Sequence, residues 1–433
     1  MAFYGDDFTG STDALEFLTR AGAKTVLFIE PPSAEQLAWY PGLQAYGVAG
    51  MTRSLSPEKM GEVLLPAFES IRQSGARHVH YKTCSTFDST PTTGSIGKAI
   101  DTGATIFNNK LIPLLVAAPL LGRYCLFGNL FARMGIGSEG DIFRLDRHPS
   151  MSKHPVTPAD ESDLRLHLSK QTNKNTGLIN ILELEKPVET MNEKNEDAEI
   201  VLIDALYDKQ LLKIGEWIDR QYNETSPLFS VGSSGIEMAL GKYWNKQQIL
   251  HPVNEWKHPG KANPLLVVSG SCSPIAASQI AWAKTNGFAE LVINAAEISL
   301  LENPIVDSYL KVATEFIQQG KSLVVHTGEK QTNNLSSQNL GTALGLIAKQ
   351  LVTDQKIKRV LIAGGDTSSY AARAMEIEAV EMIAPLVSGA PLCKAISKNK
   401  SIDGLELNFK GGQVGSEDYF GLVMEGGKMS NER

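Results

Sequence analysis

Along this chain, short apolar runs alternate with longer stretches whose apolar residues recur at helical spacing, and most of the short runs end in a loop rich in hydroxyl, acidic or glycine residues. The first run ends at Tyr4 and leads into Gly5-Asp6-Asp7-Phe8-Thr9-Gly10-Ser11-Thr12-Asp13. An amphipathic segment with Ala14, Leu15, Phe17, Leu18 and Ala21 follows, so the pattern is strand, polar loop, helix. Ser11 or Thr12 is expected to cap that helix, Gly22 to stop it, and 24–29 to form the next strand. Only Met1 to Tyr4 precede the first loop, short against the usual length of about five or six residues, so residues are expected to be missing at the start. Residues 45–49 read as a strand that delivers Thr52-Arg53-Ser54, and Ser56-Pro57-Glu58 starts a helix carrying Met60, Val63, Leu64, Ala67, Phe68 and Ile71. Residues 77–81 form a strand that runs into Lys82-Thr83-Cys84-Ser85-Thr86-Phe87-Asp88-Ser89-Thr90.

The interval 105–134 is apolar, is interrupted by Pro113 and Pro119, and shows no assignable period. A polar stretch with Arg147, His148 and Pro149 follows, then Thr157-Pro158 heading a helix through Leu164, Leu166 and Leu168. Strands are expected at 178–182 and 200–203, with a solvated polar loop over 186–199. Residues 228–231 enter Gly232-Ser233-Ser234-Gly235 and a helix to Trp244. After an aperiodic stretch the rhythm restarts: 265–268 leads into Ser269-Gly270-Ser271-Cys272-Ser273-Pro274 and a helix to about Lys284. Strands at 291–293 and 322–326 and helices near 306–318 and 338–351 come next. Residues 359–363 then end in Gly364-Gly365-Asp366-Thr367-Ser368, and 405–410 in Gly411-Gly412-Gln413-Val414-Gly415. The expected fold is therefore α/β with two domains, each a mainly parallel sheet flanked by helices, and an active site in the cleft between them. The divisions are 1–240, a linker at 241–263, and 264–433.

Length agrees with two domains, since 433 residues exceed what one core usually supports. Apolar content of 42% and charged content of 21% are those of a soluble globular protein, and a net charge of −7 argues against general nucleic-acid binding. The four cysteines are far apart and form no C-x-x-C pair, which suits reduced thiols in the cytoplasm. No basic and apolar leader is present, and the longest apolar stretch, 111–118, is too short to span a bilayer, so no membrane partner is expected.

The loops of the two halves differ chemically. Those of the first mix carboxylates and hydroxyls with Arg53 and Lys82, which suits a small hydroxylated acid. Those of the second are small residues heading helices, which suits phosphates, because glycine permits close backbone approach and helix amides donate to anions. Phosphoryl transfer is the reaction such a layout would serve. Neither a P-loop nor a G-x-G-x-x-G fingerprint occurs. His78 and His80 share a strand face without a third ligand, and a packed or hydrogen-bonded pair is the expected reading. Cys84 has no base placed beside it and reads as packing, while for His148 substrate binding and a structural role are equally open.

Taken in order, these motifs resemble the four-carbon acid sugar kinases over nearly the whole chain. The resemblance rests on Gly5 to Gly10, Thr52-Arg53-Ser54, Tyr81 to Thr90, His148-Pro149 with His154-Pro155-Val156-Thr157-Pro158, Ser269 to Ser273, Gly364 to Thr367, and Lys410 to Gly415. It implies an ATP- and Mg²⁺-dependent kinase that phosphorylates the C4 hydroxyl of D-threonate, D-erythronate or 3-oxo-tetronate. The amino-terminal domain would bind the acid sugar and the carboxy-terminal domain the nucleotide. Asp7 is the expected base, with Asp6 beside it, and Arg53 and Lys82 would neutralise the substrate carboxylate. Thr9, Ser85, Thr86, Asp88 and His148 complete the expected substrate side. Ser271, Ser273, Gly364, Gly365, Asp366, Thr367, Gly412 and Gly415 form the nucleotide side; metal ligands are not specified. Asp366 departs from the glutamate that relatives often carry. Association into a homo-oligomer is expected from the size of such kinases. The alternatives are a sensor that binds sugar acid and nucleotide without transfer, and a hydrolase, which the adjacent rather than D-x-D spacing of Asp6 and Asp7 disfavours.

Overall fold

Runs such as Ile200-Val-Leu-Ile203 are apolar at every position because both faces of their sheet are covered. The computed structural model describes residues 1–135, 140–154, 156–271, 273–298, 303–328, 336–412 and 414–427; Pro155, Cys272 and Gln413 lie outside them. Contacts divide the chain into two compact units. One comprises Met1–Thr25, Glu30–Met134 and Glu139–Asn254, and the other holds Val26–Ile29 and Glu255–Arg433.

The chain opens with β1 (Ala2–Gly5), α1 (Phe8–Arg20), β2 (Thr25–Phe28), the short α2 (Ala34–Ala38) and β3 (Ala45–Ala49). It continues through α3 (Pro57–Gln73), β4 (His78–Lys82), α4 (Ile96–Phe107) and β5 (Ile112–Leu115). A separate antiparallel trio follows, β6 (Arg123–Leu126), β7 (Asn129–Arg133) and β8 (Ile142–Arg144). The first unit closes with α5 (Leu164–Ser169), β9 (Thr176–Ile179), β10 (Ile200–Ile203), α6 (Gln210–Arg220), β11 (Leu228–Gly232) and α7 (Gly235–Lys246). Its main sheet runs β3-β1-β4-β11-β5-β10-β9, every pair parallel. Phe68 of α3 packs against Tyr4, Tyr81, Phe107 and Phe229, fastening α3 and α4 to the middle strands.

Several elements differ from the sequence pattern. The unassigned interval 105–134 resolves into the end of α4, β5 and the β6–β7 hairpin, and Pro113 sits inside β5 opposite Val201. The helix expected from Thr157 starts only at Leu164, where the Asp163 side chain caps it. α7 continues through 241–246, the start of the stretch read as a linker.

The second unit carries β12 (Leu265–Ser269), α8 (Pro274–Thr285), β13 (Ala289–Val292), α9 (Ala295–Ile298), α10 (Asn303–Gln318), β14 (Leu323–His326) and α11 (Ser337–Gln355). Then come β15 (Arg359–Ala363), α12 (Gly365–Ala374), β16 (Ala379–Val387), β17 (Ala390–Ile396), β18 (Glu406–Lys410) and α13 (Tyr419–Glu425). Strands β13-β14-β12-β15-β18 are parallel; β17, β16 and β2 extend them antiparallel. The β16–β17 hairpin escapes periodicity because bulges shift its register between Met382 and Ala384 and again before Val387. No helix among the described residues is long and apolar enough to cross a membrane.

Each parallel sheet has a switch point. In the first unit the chain leaves β1 towards β3 and leaves the adjacent β4 towards β5, on the other side. In the second it leaves β12 towards β13 and the adjacent β15 towards β18. Diverging connections open a crevice at the carboxyl ends of the two strands, where ligands bind in open α/β sheets. The loops at these ends are Asp6-Asp7 with Thr83 to Thr90, and Gly270, Ser271 and Ser273 with Gly364 to Thr367.

Candidate active site

Asp7 caps α1. Its carboxylate accepts from the Gly10 amide at 2.7 Å and the Thr9 hydroxyl at 2.8 Å, so the helix starts at Phe8 and not after Ser11 or Thr12. Asp6 is held by main-chain links to both neighbouring strand ends: its amide donates to the Lys82 carbonyl and its carbonyl accepts from the Arg53 amide. One guanidinium bridges the pair. Arg53 Nε and Nη2 reach Asp6 at 3.2 and 2.9 Å, and Nη1 reaches Asp7 at 2.8 Å. The Cys84 amide also donates to Asp6. All three Arg53 nitrogens are thus committed to protein carboxylates, whereas the sequence pointed to a grip on substrate.

Burial raises the Asp6 pKa above the carboxylate range, Arg53 opposes that rise, and the Asp7 charge adds to it. Burial pulls the Arg53 pKa down, but Asp6 and Asp7 more than reverse this and hold it well above its ordinary value. The thiol of Cys84 is pushed up to about 11 by burial and by Asp88, which leaves it protonated and unreactive, as its packing role implies.

Lys82 is 1% exposed and its Nζ donates to the Thr83 carbonyl while standing 3.5 Å from Asp13. Burial lowers its pKa, yet Asp13, Asp6 and Glu237 outweigh burial and keep it charged. Asp13 in turn accepts from Ser234, at the start of α7. A Cβ placed on Gly10 would lie 2.7 Å from Asp7 Oδ1, 3.2 Å from Lys82 Nζ and 3.9 Å from Arg53 Nη2. Only a residue without a side chain leaves open the space on which two cations and a carboxylate converge. Asp13 and Ser234 stand in the loop motifs read from the pattern, but only folding brings them, with Glu237 of α7, to Lys82.

Around this cluster, Ser85, Thr86 and Asp88 are nearly buried, and one Asp88 oxygen is buried without a hydrogen-bond partner among the described residues. The ring of His148 accepts the Ser150 and Met151 amides at Nδ1; burial first, and Arg123 second, lower its pKa and keep it neutral. The two β4 histidines are structural: His78 bonds Asp219 and His80 bonds Glu237 and the Gly232 carbonyl.

In the second unit the glycine loops close on one another. Gly364 has φ +119, open to glycine alone, and a Cβ there would meet Thr367 Oγ1 at 2.9 Å and the Ser271 amide at 3.5 Å. A Cβ on Gly412 would stand 3.0 Å from Ser271 Oγ. Ser273 caps α8 and donates to the Gly412 carbonyl at 2.5 Å. No side chain caps α12, so the amides of its first turn, with Gly365, the exposed Asp366 and Thr367, have no intrahelical acceptor. Gly415, by contrast, lies against the Tyr419 ring and is explained by packing. Two polar atoms at the strand ends here, Ser269 Oγ and Lys410 Nζ, are buried without a hydrogen-bond partner among the described residues. Helix amides at the start of α12, a small-residue cradle and a buried lysine whose charge an anion would restore suit an anionic ligand.

Residues 1–240 match the family described as the sugar-binding N-terminal domain, and 266–420 the one described as the nucleotide-binding C-terminal domain. The chain belongs to the four-carbon acid sugar kinase family. Among members of this kinase family, a 3-oxo-isoapionate kinase of Paraburkholderia graminis is 38% identical over 98% of the chain and 94% of its own length. A 3-oxo-tetronate kinase of Pseudomonas savastanoi pv. phaseolicola is 28% identical over 97% and 95%. Solved chains from Salmonella typhimurium LT2 and Haemophilus influenzae share the fold, with TM-scores of 0.76 and 0.68 at 22% identity and near-complete coverage of both chains. As a family member the chain is a phosphotransferase.

Proposed function

We propose that this kinase phosphorylates a hydroxyl of a small oxidised sugar acid with ATP, residues 1–240 holding the acid and 264–433 the nucleotide. The observation that carries the reading is the buried Asp6–Asp7 pair bridged by Arg53 at a strand-end crevice, with Lys82 beside it. 3-Oxo-isoapionate is the first substrate to test, because the kinase of that name shares 38% identity, against 28% for a 3-oxo-tetronate kinase. The C4 hydroxyls of 3-oxo-tetronate, D-threonate and D-erythronate come next.

Asp6 is the better candidate for base, although the sequence favoured Asp7. Protein donors hold both carboxylates, Asp7 through Gly10, Thr9 and Arg53 and Asp6 through Arg53 and Cys84; what favours Asp6 is that burial raises its pKa, the direction that strengthens a carboxylate as a base. In the step itself the substrate oxygen bonds to the γ-phosphorus, its proton passes to Asp6, and the bond to ADP breaks. Lys82 and Arg53 offset the charge that builds up, which is where most of the catalysis of phosphoryl transfer lies. On the nucleotide side the free amides of α12 and the Ser271, Ser273 and Gly412 cradle would hold phosphate oxygens. Among the described residues no three acidic, histidine or cysteine side chains converge on a metal site. Asp366 is the one carboxylate in these loops, a donor set that fits Mg²⁺ held chiefly by the phosphates, where it would neutralise their charge. ADP release measured over a panel of sugar acids tests the reading. A sensor would bind acid and nucleotide without turnover, and a hydrolase would release phosphate without ATP.

A further inference from the structure

We propose that Arg123, and not Arg53, receives the carboxylate of the sugar acid. The inference rests on the sugar-acid kinase reading and adds the residue that selects acids over neutral sugars.

Arg123 begins β6 and is 5% exposed. Its Nη1 is pinned by the carbonyls of Leu121, Gly122 and Arg133 at 3.1 to 3.3 Å, and its Nε donates to Ser85 Oγ at 3.2 Å. Among the described residues Nη2 makes no hydrogen bond and no carboxylate stands within ion-pair distance. A buried guanidinium without an ion-pair partner is costly: burial weakens its hold on its proton, and Asp88 and Asp13, acting from beyond ion-pair distance, offset this only in part. Arg53 is the opposite case, with every nitrogen already paired to Asp6 and Asp7.

The position of Arg123 is also right. Its Nε partner Ser85 follows Cys84, whose amide donates to Asp6, so one turn of the loop after β4 joins the unpaired cation to the proposed base. His148 lies close enough for the Arg123 charge to depress its pKa. A carboxylate entering beside Ser85 would supply the missing counter-ion and leave the far end of the acid towards Asp6. The guanidinium plane is held by four hydrogen bonds before any ligand arrives, so little ordering remains to oppose binding.

The test compares wild type with Arg123→Met and Arg123→Lys on the best acid of the panel and on its analogue with a hydroxymethyl group in place of the carboxylate. KM for the acid should rise about 100-fold in Arg123→Met and about 10-fold in Arg123→Lys, with KM for the neutral analogue and for ATP unchanged. Equal losses on acid and analogue, or an acid KM within threefold of wild type in both variants, would overturn the assignment. Arg123→Lys retains a donor for the three carbonyls and keeps the question open to experiment if Arg123→Met does not fold. Should no acid be phosphorylated, the kinase reading fails on its own, and calorimetry with the same acids still decides: binding by wild type that weakens about tenfold in Arg123→Lys upholds the carboxylate site, and no binding, or an affinity within threefold of wild type, refutes it.

Discussion

Replacing Lys410 by methionine should stabilise the free protein. The side chain is fully buried, its Nζ has no hydrogen-bond partner among the described residues, and it faces the Tyr419 ring at 5.9 Å. Burial lowers its pKa from 10.5 to about 7. At about 1.4 kcal/mol per unit, the fall amounts to roughly 4 kcal/mol of folding free energy at neutral pH. Methionine is similar in volume and carries no charge. Allowing about 1 kcal/mol for the lost ring contact, a gain on the order of 3 kcal/mol remains. For a unit of this size that is a rise in Tm of very roughly 6–12 °C, measurable by calorimetry. The sign with pH provides the sharper check. Between about 7 and 10.5 the unfolded lysine keeps a proton that the folded one has lost, so wild-type stability contains a term that increases through this window. The methionine variant lacks it, and its advantage should shrink steadily as pH rises. A less stable variant, or an advantage independent of pH between 7 and 10, would refute the buried-charge argument.

Further predictions concern the two sites. Asp6→Asn should lower kcat by about 10²- to 10⁴-fold. In wild type, activity should fall as pH drops through a value above the usual carboxylate range, because a base with a raised pKa is protonated earlier on acidification. An asparagine variant that keeps both its rate and this acid limb would exclude Asp6 as the base. Gly364→Ala should strain the loop at φ +119 and press on Thr367, raising KM for ATP at least about tenfold while acid-sugar binding, read by calorimetry, stays as in wild type; an unchanged KM would count against that cradle.

How much of this was legible in the sequence depended on where the determining contacts lie. β3, β10 and β15 match their apolar runs residue for residue, because a parallel strand buried on both faces is written locally. The start of α1 was misplaced because Asp7, Ser11 and Thr12 are all competent caps, and only the bond from Gly10 to Asp7 chooses among them. Arg53 and Lys82 stand where the motifs put them, but their partners are set by folding: Lys82 meets Asp13 and, through it, Ser234 from far along the chain. Arg123 could not have been found, since it lies in a stretch without period and acquires meaning only from the Ser85 loop folded against it.

The most direct test of the account is ADP release with ATP, Mg²⁺ and each of 3-oxo-isoapionate, 3-oxo-tetronate, D-threonate and D-erythronate. It predicts acid-dependent turnover with formation of a phosphorylated acid, slowed at least about 100-fold in Asp6→Asn. Binding of acid and nucleotide with no ADP formed from any of the four would contradict it.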